Sequence, residues 1–337
     1  MRKKSKNPII GYLNINSFRN KSDNLFALTG HLLDILIIAE TKLDAASTNA
    51  SLKKPNFKLP YRVDINKKSE GMLVYIREGL ASRKLKIYSE KGIQVIIFEL
   101  RLKKNSWLVL AIYKNPKIKI EHFIDILSDL IDEFSGRFNR LLVLGDFNTE
   151  PSQPDLKQFM GRYNLSNLIK QNTCFKKPEG TCIDLILTNC KFSLQHSHAV
   201  ETDLSDFHLM PITMFKEGYE SLPPQTIQYR DFSNFKGFNF NSELSHTIRL
   251  CQPKDYGQFE LIFTNILQKY APLKKRTIRG NDKSHVTKEL RKQIMKRSRL
   301  KNISRKTKLP EDIQAYHKQR NLVVKLNKKQ KNLISKV

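Results

Sequence analysis

Seven short apolar runs dominate the first two thirds of the chain: IIGYLNI, DILIIAE, GMLVYIR, QVIIFEL, WLVLAIY, LLVLGDF and CIDLILT. Runs this short and this rich in Ile, Leu and Val suit strands covered on both faces. Such strands need a packed layer above and below, so the fold must supply helices or a second sheet on each side. Residues 121–134, EHFIDILSDLIDEF, supply a helix of this kind. Phe123, Ile126, Leu127, Leu130, Ile131 and Phe134 recur there at three- and four-residue spacing, and Gly136 follows as a stop. Ser22 or Asp23 can cap a second helix running to Leu33. The alternation predicts an α/β layered domain.

At 337 residues the chain exceeds one ordinary core. After the last apolar run, EGYESLPPQTIQ (217–228) brings Gly, Ser and a Pro pair, and the composition changes. The expected division is therefore a domain over 1–218, a linker over 219–228 and an extension over 229–337. Within the extension, YRDFSNFKGFNFNSEL is aromatic and polar and FELIFTNILQKYAPL is amphipathic. Residues 287–337 predict two basic helices broken near Leu309-Pro310. No repeat of fixed period occurs.

Charge is distributed unevenly. From Lys274 to the end, 22 Lys and Arg face four acids, a net +18 of the chain's +28. A tail of this kind implies a polyanionic partner, nucleic acid ahead of an anionic membrane, because no strong aromatic insertion face accompanies it. A solvated, soluble helix surface is the plainer alternative. Lys274, Lys275, Arg276, Arg279, Arg291, Lys292, Lys296, Arg297 and Arg299 are the candidate phosphate contacts. No run of eighteen uncharged apolar residues could span a bilayer, and the basic N-terminus lacks a small-residue cleavage site. An intracellular location is expected, nuclear or nucleocytoplasmic for work on DNA. The four cysteines form no C-x-x-C pair, which argues for reduced thiols rather than zinc or a disulfide framework.

Chemistry is expected where the apolar runs end. In open α/β sheets ligands gather beyond the carboxyl ends of strands, and LLVL runs into Asp146 and Asn148, which an extended chain would point to one side. A carboxylate there can hold a water or a metal, and a carboxamide can donate to a developing oxyanion. The tetrapeptide alone is also an ordinary turn. It is not alone. LNIN ends in Asn14 and Asn16, IIAETKL carries Glu40, AIYKNP carries Tyr113, CIDLIL embeds Asp184, and LSDFH gathers Ser205, Asp206 and His208. A buried Asp184 needs a partner, and His208 is available.

In this order the motifs resemble the endonuclease/exonuclease/phosphatase superfamily, and within it the apurinic-type endonuclease domain of non-LTR, LINE-like retrotransposons. The resemblance covers roughly residues 8–215. Residues from 229 onward look like the segment joining that endonuclease to a reverse transcriptase, whose F/Y-x-D-D metal motif is missing from this chain. The resemblance implies a four-layered sandwich of two mixed β-sheets flanked by helices, here with a basic α-helical extension. It implies phosphodiester hydrolysis supported by Mg²⁺, with Mn²⁺ as a substitute, on a DNA substrate, with the element's RNA as a further partner. Carried over by position, it assigns Asn14, Glu40 and Asp206 to the metal side and Asp146 to the attacking water. Asn148 and Tyr113 would stabilise the phosphate, and Asp184 would orient His208. Asn16, Thr173 and Ser205 are secondary matches. Two positions depart from the family: Phe207 stands between Asp206 and His208, and Glu70 precedes Gly71 where a glycine pair is usual.

A phosphatase of the same superfamily and a non-catalytic nucleic-acid-binding remnant are the alternatives to a nicking endonuclease. The basic tail speaks against the first, because a small phosphate ester has no use for it. The full set of competent polar residues speaks against the second. Oligomeric state is left open.

Overall fold

The computed structural model describes residues 5–44, 46–65, 70–90, 92–103, 105–220, 225–278 and 287–334. By contacts the chain divides into two compact units, residues 1–222 with 283–337, and residues 223–282.

The first unit begins with β1 (Ser5–Lys6), β2 (Ile9–Asn14), α1 (Ser22–Thr29), β3 (Ile35–Ala39), α2 (Asn49–Leu52), β4 (Tyr61–Val63) and β5 (Met72–Ile76). It continues through β6 (Ala81–Glu90), β7 (Ile93–Leu102), β8 (Asn105–Lys114), α3 (Ile120–Ser135), β9 (Leu141–Asp146) and α4 (Pro154–Arg162). Then come β10 (Ser166–Asn167), β11 (Asp184–Thr188), β12 (Leu194–Val200), β13 (Met210–Phe215) and β14 (Tyr219–Glu220). The second unit holds β15 (Gln225–Arg230), α5 (Gly237–Cys251), α6 (Tyr256–Tyr270) and β16 (Leu273–Ile278). Helices α7 (Lys288–Thr307) and α8 (Pro310–Ile334) belong to the first unit again.

Two six-stranded sheets form the first unit, ordered β12-β13-β2-β3-β5-β4 and β10-β11-β9-β8-β7-β6. Each contains one parallel pair, β2 with β3 and β8 with β9, among antiparallel neighbours, so both are mixed. A parallel pair needs a crossover, and α1 and α3 provide the two. Side chains alternate across each strand. Ile10, Tyr12 and Ile37 thus meet Phe98, Val109 and Leu144 between the sheets. Outward-facing Ile97, Leu110 and Val143 lie under Phe123, Leu127 and Leu130 of α3. On the far side Leu13, Leu36 and Ile38 lie under Leu25 and Phe26 of α1. Helix, sheet, sheet, helix is the four-layered sandwich expected.

All seven apolar runs are strands. Helix α3 ends at Gly136 as read, but α1 stops at Gly30, short of Leu33, and no side chain caps its start. The break between the basic helices falls at Lys308, in the left-handed region, with Pro310 opening α8. Where a linker was expected, Tyr219–Glu220 pairs with β1 and Gln225–Arg230 pairs with β16. The sequence keeps 229–337 together, whereas the contacts separate it. Leu290 and Ile294 of α7, with Val323 of α8, bury against Ala27 of α1. In the second unit Phe240 packs its ring against Phe235, Phe263 and Tyr270. No described helix is long and apolar enough to cross a membrane, and all four cysteines are unbridged.

Candidate active site

Strand register builds the site. β9 lies between β8 and β11, so Tyr113 stands beside Asp146 on one side and Asp184 opposite it on the other. Gly145 makes the approach possible. Its φ is +152°, and a Cβ there would sit 1.9 Å from the Ile112 carbonyl oxygen. In the facing sheet β2 ends at Asn14, and Glu40 follows β3 with a φ of +50°. The Asn14 carboxamide joins the two sheets, donating to Glu40 Oε1 at 2.7 Å and to Asp146 Oδ2 at 3.1 Å. Tyr113 Oη donates to the same Glu40 oxygen at 3.3 Å.

His208 Nδ1 lies 2.9 Å and 3.2 Å from the two Asp184 oxygens, the pairing expected from sequence. Its Nε2 is 3.7 Å from Cys174 Sγ. Ser205 Oγ accepts the His208 backbone N–H at 3.1 Å. Thr173 Oγ1 accepts the backbone N–H groups of Ile183 and Asp184, which fixes the start of β11. The inserted Phe207 leaves the histidine in place because the backbone clamps it from both sides. Phe175 N–H donates to the Phe207 carbonyl at 2.9 Å, and Leu209 N–H to the Thr173 carbonyl at 2.7 Å. The insertion is absorbed outside: the Phe207 side chain is exposed, and so is Asp206. Asp206 accepts from Asn16 Nδ2 at 3.5 Å, and Asn16 in turn accepts from Lys42.

One local expectation is corrected. Asp146 and Asn148 are not side by side on an extended strand, because Asn148 has a φ of +45° and starts a turn. Its backbone N–H donates to Asp146 Oδ1 at 2.9 Å, and its carboxamide donates to the Lys114 carbonyl at 2.7 Å.

Electrostatics follow from this packing. Burial pushes the Asp146 carboxyl up, and the opposed Asp184 charge pushes it further, to about 7, against the pull of His208, Asn14 and the Asn148 N–H. Burial by itself would lower His208, but the charge and hydrogen bond of Asp184 override it and hold the imidazolium well above its ordinary range. Burial, then Glu40, raises the Tyr113 hydroxyl.

Asp146, Asp184 and His208 offer ligand atoms within 4.8 Å of one another, close enough to grip a cation. A position further out, beside Glu40, suits a cation better. Asp184 and His208 are spent on each other, and all three groups are buried, whereas the half-buried Glu40 leaves room for an ion that keeps waters. Two buried carboxylates facing one imidazole leave excess negative charge, and the nearby donors are hard oxygens. Both facts fit a hard divalent cation.

Three contributors escaped the sequence. Tyr12 is fully buried, and the charge of Asp146 helps to raise its hydroxyl; its place two residues before Asn14, on the same strand face, is the signal that could have found it. Glu70, with a φ of +60° where a glycine was expected, accepts from Gln94 at 2.9 Å and Asn115 at 3.0 Å beside the Tyr113 strand end. Cys174 faces His208 through an isolated bridge that no local pattern announces.

Of the candidate phosphate contacts, Lys292, Lys296 and Arg299 are exposed on α7 and Arg291 is half-buried. Lys275 is exposed and Lys274 pairs with Asp231 in the second unit. Arg279 and the side chain of Arg276 lie outside the described residues. Arg297 is corrected: it is buried and ion-paired with Asp203, where no phosphate reaches it.

The profile of the Endonuclease/Exonuclease/phosphatase family matches residues 11–206. Among solved structures, the endonuclease domain of TRAS1, a telomere-specific non-LTR retrotransposon, is 12% identical with a TM-score of 0.50, over 63% of this chain and 99% of that one. The 3′ phosphatase NExo from Neisseria, bound to product DNA hairpin, is 17% identical with a TM-score of 0.50, over 62% and 99%. The 3′-5′ exonuclease NExo from Neisseria meningitidis is 18% identical with a TM-score of 0.50, over 61% and 99%. No curated protein matches the chain.

Proposed function

Because this chain belongs to the endonuclease/exonuclease/phosphatase family, we propose that its strand-end cluster hydrolyses DNA phosphodiester bonds, nicking one strand to expose a 3′-hydroxyl for a non-LTR retrotransposon. The observation that carries this reading is the row Tyr113, Asp146, Asp184 and His208, tied through Asn14 to Glu40 in the facing sheet.

Glu40 and Asn14, with the exposed Asp206 as a further carboxylate, are the residues that would hold Mg²⁺, or Mn²⁺ in its place. When bound, the ion neutralises charge on the phosphoryl oxygens. Asp146 takes the proton of the attacking water, since a carboxyl raised toward neutrality is a better base than an exposed one. Asp184 fixes the imidazole through Nδ1 and keeps it charged. That leaves Nε2 facing a weak sulfur acceptor, which a phosphoryl oxygen displaces. Tyr113 and the Asn148 carboxamide, once released from the Lys114 carbonyl, donate to the pentacoordinate phosphate. The exposed Lys292, Lys296 and Arg299 hold the DNA backbone.

The test is conversion of supercoiled plasmid to relaxed circles with Mg²⁺ and with EDTA. Asp146→Ala and His208→Ala should each slow it by about 10² to 10⁴-fold while the protein stays folded by circular dichroism at the assay temperature. Near-normal rates in both remove the mechanism. The outward turn of Asp206 favours a second reading, a non-catalytic nucleic-acid-binding remnant. Such a protein shifts plasmid in a gel but never relaxes it.

A further inference from the structure

Helix α7 begins the last part of the basic extension, yet one of its faces is turned to the loop that carries the histidine. Arg297 forms an ion pair with Asp203, both side chains almost fully buried. Ser298 Oγ donates to the same carboxylate at 2.9 Å. Lys301 Nζ donates to the carbonyl oxygens of Asp203 at 2.9 Å and Ser205 at 3.3 Å, and lies 3.8 Å from Asp206 Oδ1. Asp203 is thus a buried charge whose compensation comes from a helix more than ninety residues away. From Ser205 the chain of contacts runs on to the His208 N–H and then to Asp184.

Helical periodicity separates two faces of α7. Leu290, Ile294, Arg297, Ser298 and Lys301 fall on one side, and Lys292, Lys296 and Arg299 on the other. Burial agrees: Leu290, Ile294 and Arg297 are buried, and the second set is exposed.

We infer that α7 is a positioning element of the catalytic loop, with Arg297, Ser298 and Lys301 as positioning residues, so that the site is complete only when this helix is docked. The inference rests on the loop being catalytic as proposed above. It also means that the exposed face can hold a nucleic-acid backbone without competing for the contacts that hold the loop.

The experiment uses the full chain with Arg297→Met, Lys301→Met and the conservative Arg297→Lys. Amide exchange and plasmid nicking are measured side by side. In both methionine variants, exchange across residues 203–209 should speed by about tenfold or more while β9 and β11 keep wild-type protection. The kcat should fall by about tenfold or more, with KM for DNA within about threefold, and Arg297→Lys should recover part of the loss. Wild-type exchange and kcat in both variants overturn the inference. So does uniformly faster exchange throughout the first unit, which would make α7 a packing element only, and so does a rise in KM alone. A wild-type chain that nicks no DNA overturns the nuclease reading, while the exchange data still judge the positioning role.

Discussion

Asp146 shows how a single buried carboxyl can cost a fold stability. It sits in register with Asp184 across β9 and β11, fully buried, and like charges set directly opposite destabilise a sheet. An unfolded Asp titrates near 3.8 and this one near 7, so the fold gains from its proton. That gain is fully present below about 4 and is lost as the pH rises through about 7. Asp146→Asn removes the charge and keeps the shape. In EDTA at pH 8 it should melt above wild type, and the gap should narrow at pH 5; a wild type that melts higher at pH 8 would mean that Asp146 does not carry this penalty. Asp184→Asn acts in the other direction. Without its charge, burial governs His208, whose imidazole should then lose its proton at a lower pH by NMR titration. Nicking should fall by about 10² to 10⁴-fold with the fold intact.

Between elements, closeness of approach decides what the residues can do. β9 can lie beside β8 with Asp146 at its tip only because Gly145 has no side chain to meet the Ile112 carbonyl. Gly145→Ala should force the two strands apart and cost on the order of 4 kcal/mol or more, seen as a large drop in the urea midpoint. A melt within about 0.5 kcal/mol of wild type would show that the strand end can shift without cost. The loop at Phe207 shows the opposite tolerance. Its extra residue is accommodated in solvent, while backbone bonds on either side keep His208 beside Asp184.

Across the whole molecule, the basic extension divides between the two units. A tail that only binds polyanions could be deleted with turnover at saturating DNA unchanged, the simplest expectation from the sequence. The contacts of α7 with Asp203 and Ser205 and the cover it gives to Ala27 of α1 lead to a different expectation for α7. Binding and turnover should separate by face. Replacing Lys292, Lys296 and Arg299 with Ala should weaken DNA binding and reduce the slope of log affinity against log salt by about one per residue. An unchanged slope would make that face a solvated surface.

The sequence alone determined most of the interior of the fold, all but β13, which lies between β12 and β2 and went unread. β2, β3, β5, β7, β8, β9 and β11 are covered on both faces, and that burial requires the unbroken Ile, Leu and Val runs by which they were read. The four edge strands, β4, β6, β10 and β12, went unread because an edge strand has fewer neighbours to cover it and can carry residues such as those of ASRKLKIYSE. Asn14, Glu40 and Asp146 were legible for a related reason: a polar residue ending an apolar run has no packing role there, while Asp184 interrupts such a run and Tyr113, which also packs in the core, stands at a strand end. What only tertiary structure decided were the relations between distant residues. Glu70 holding Asn115, Cys174 facing His208, Asp206 turned out by Phe207, and Arg297 withdrawn from the surface to Asp203 leave no periodic trace, because each depends on where another segment arrives. Local pattern records how a segment is covered; pairing energy between segments exists only once the sheets and α7 have been brought together.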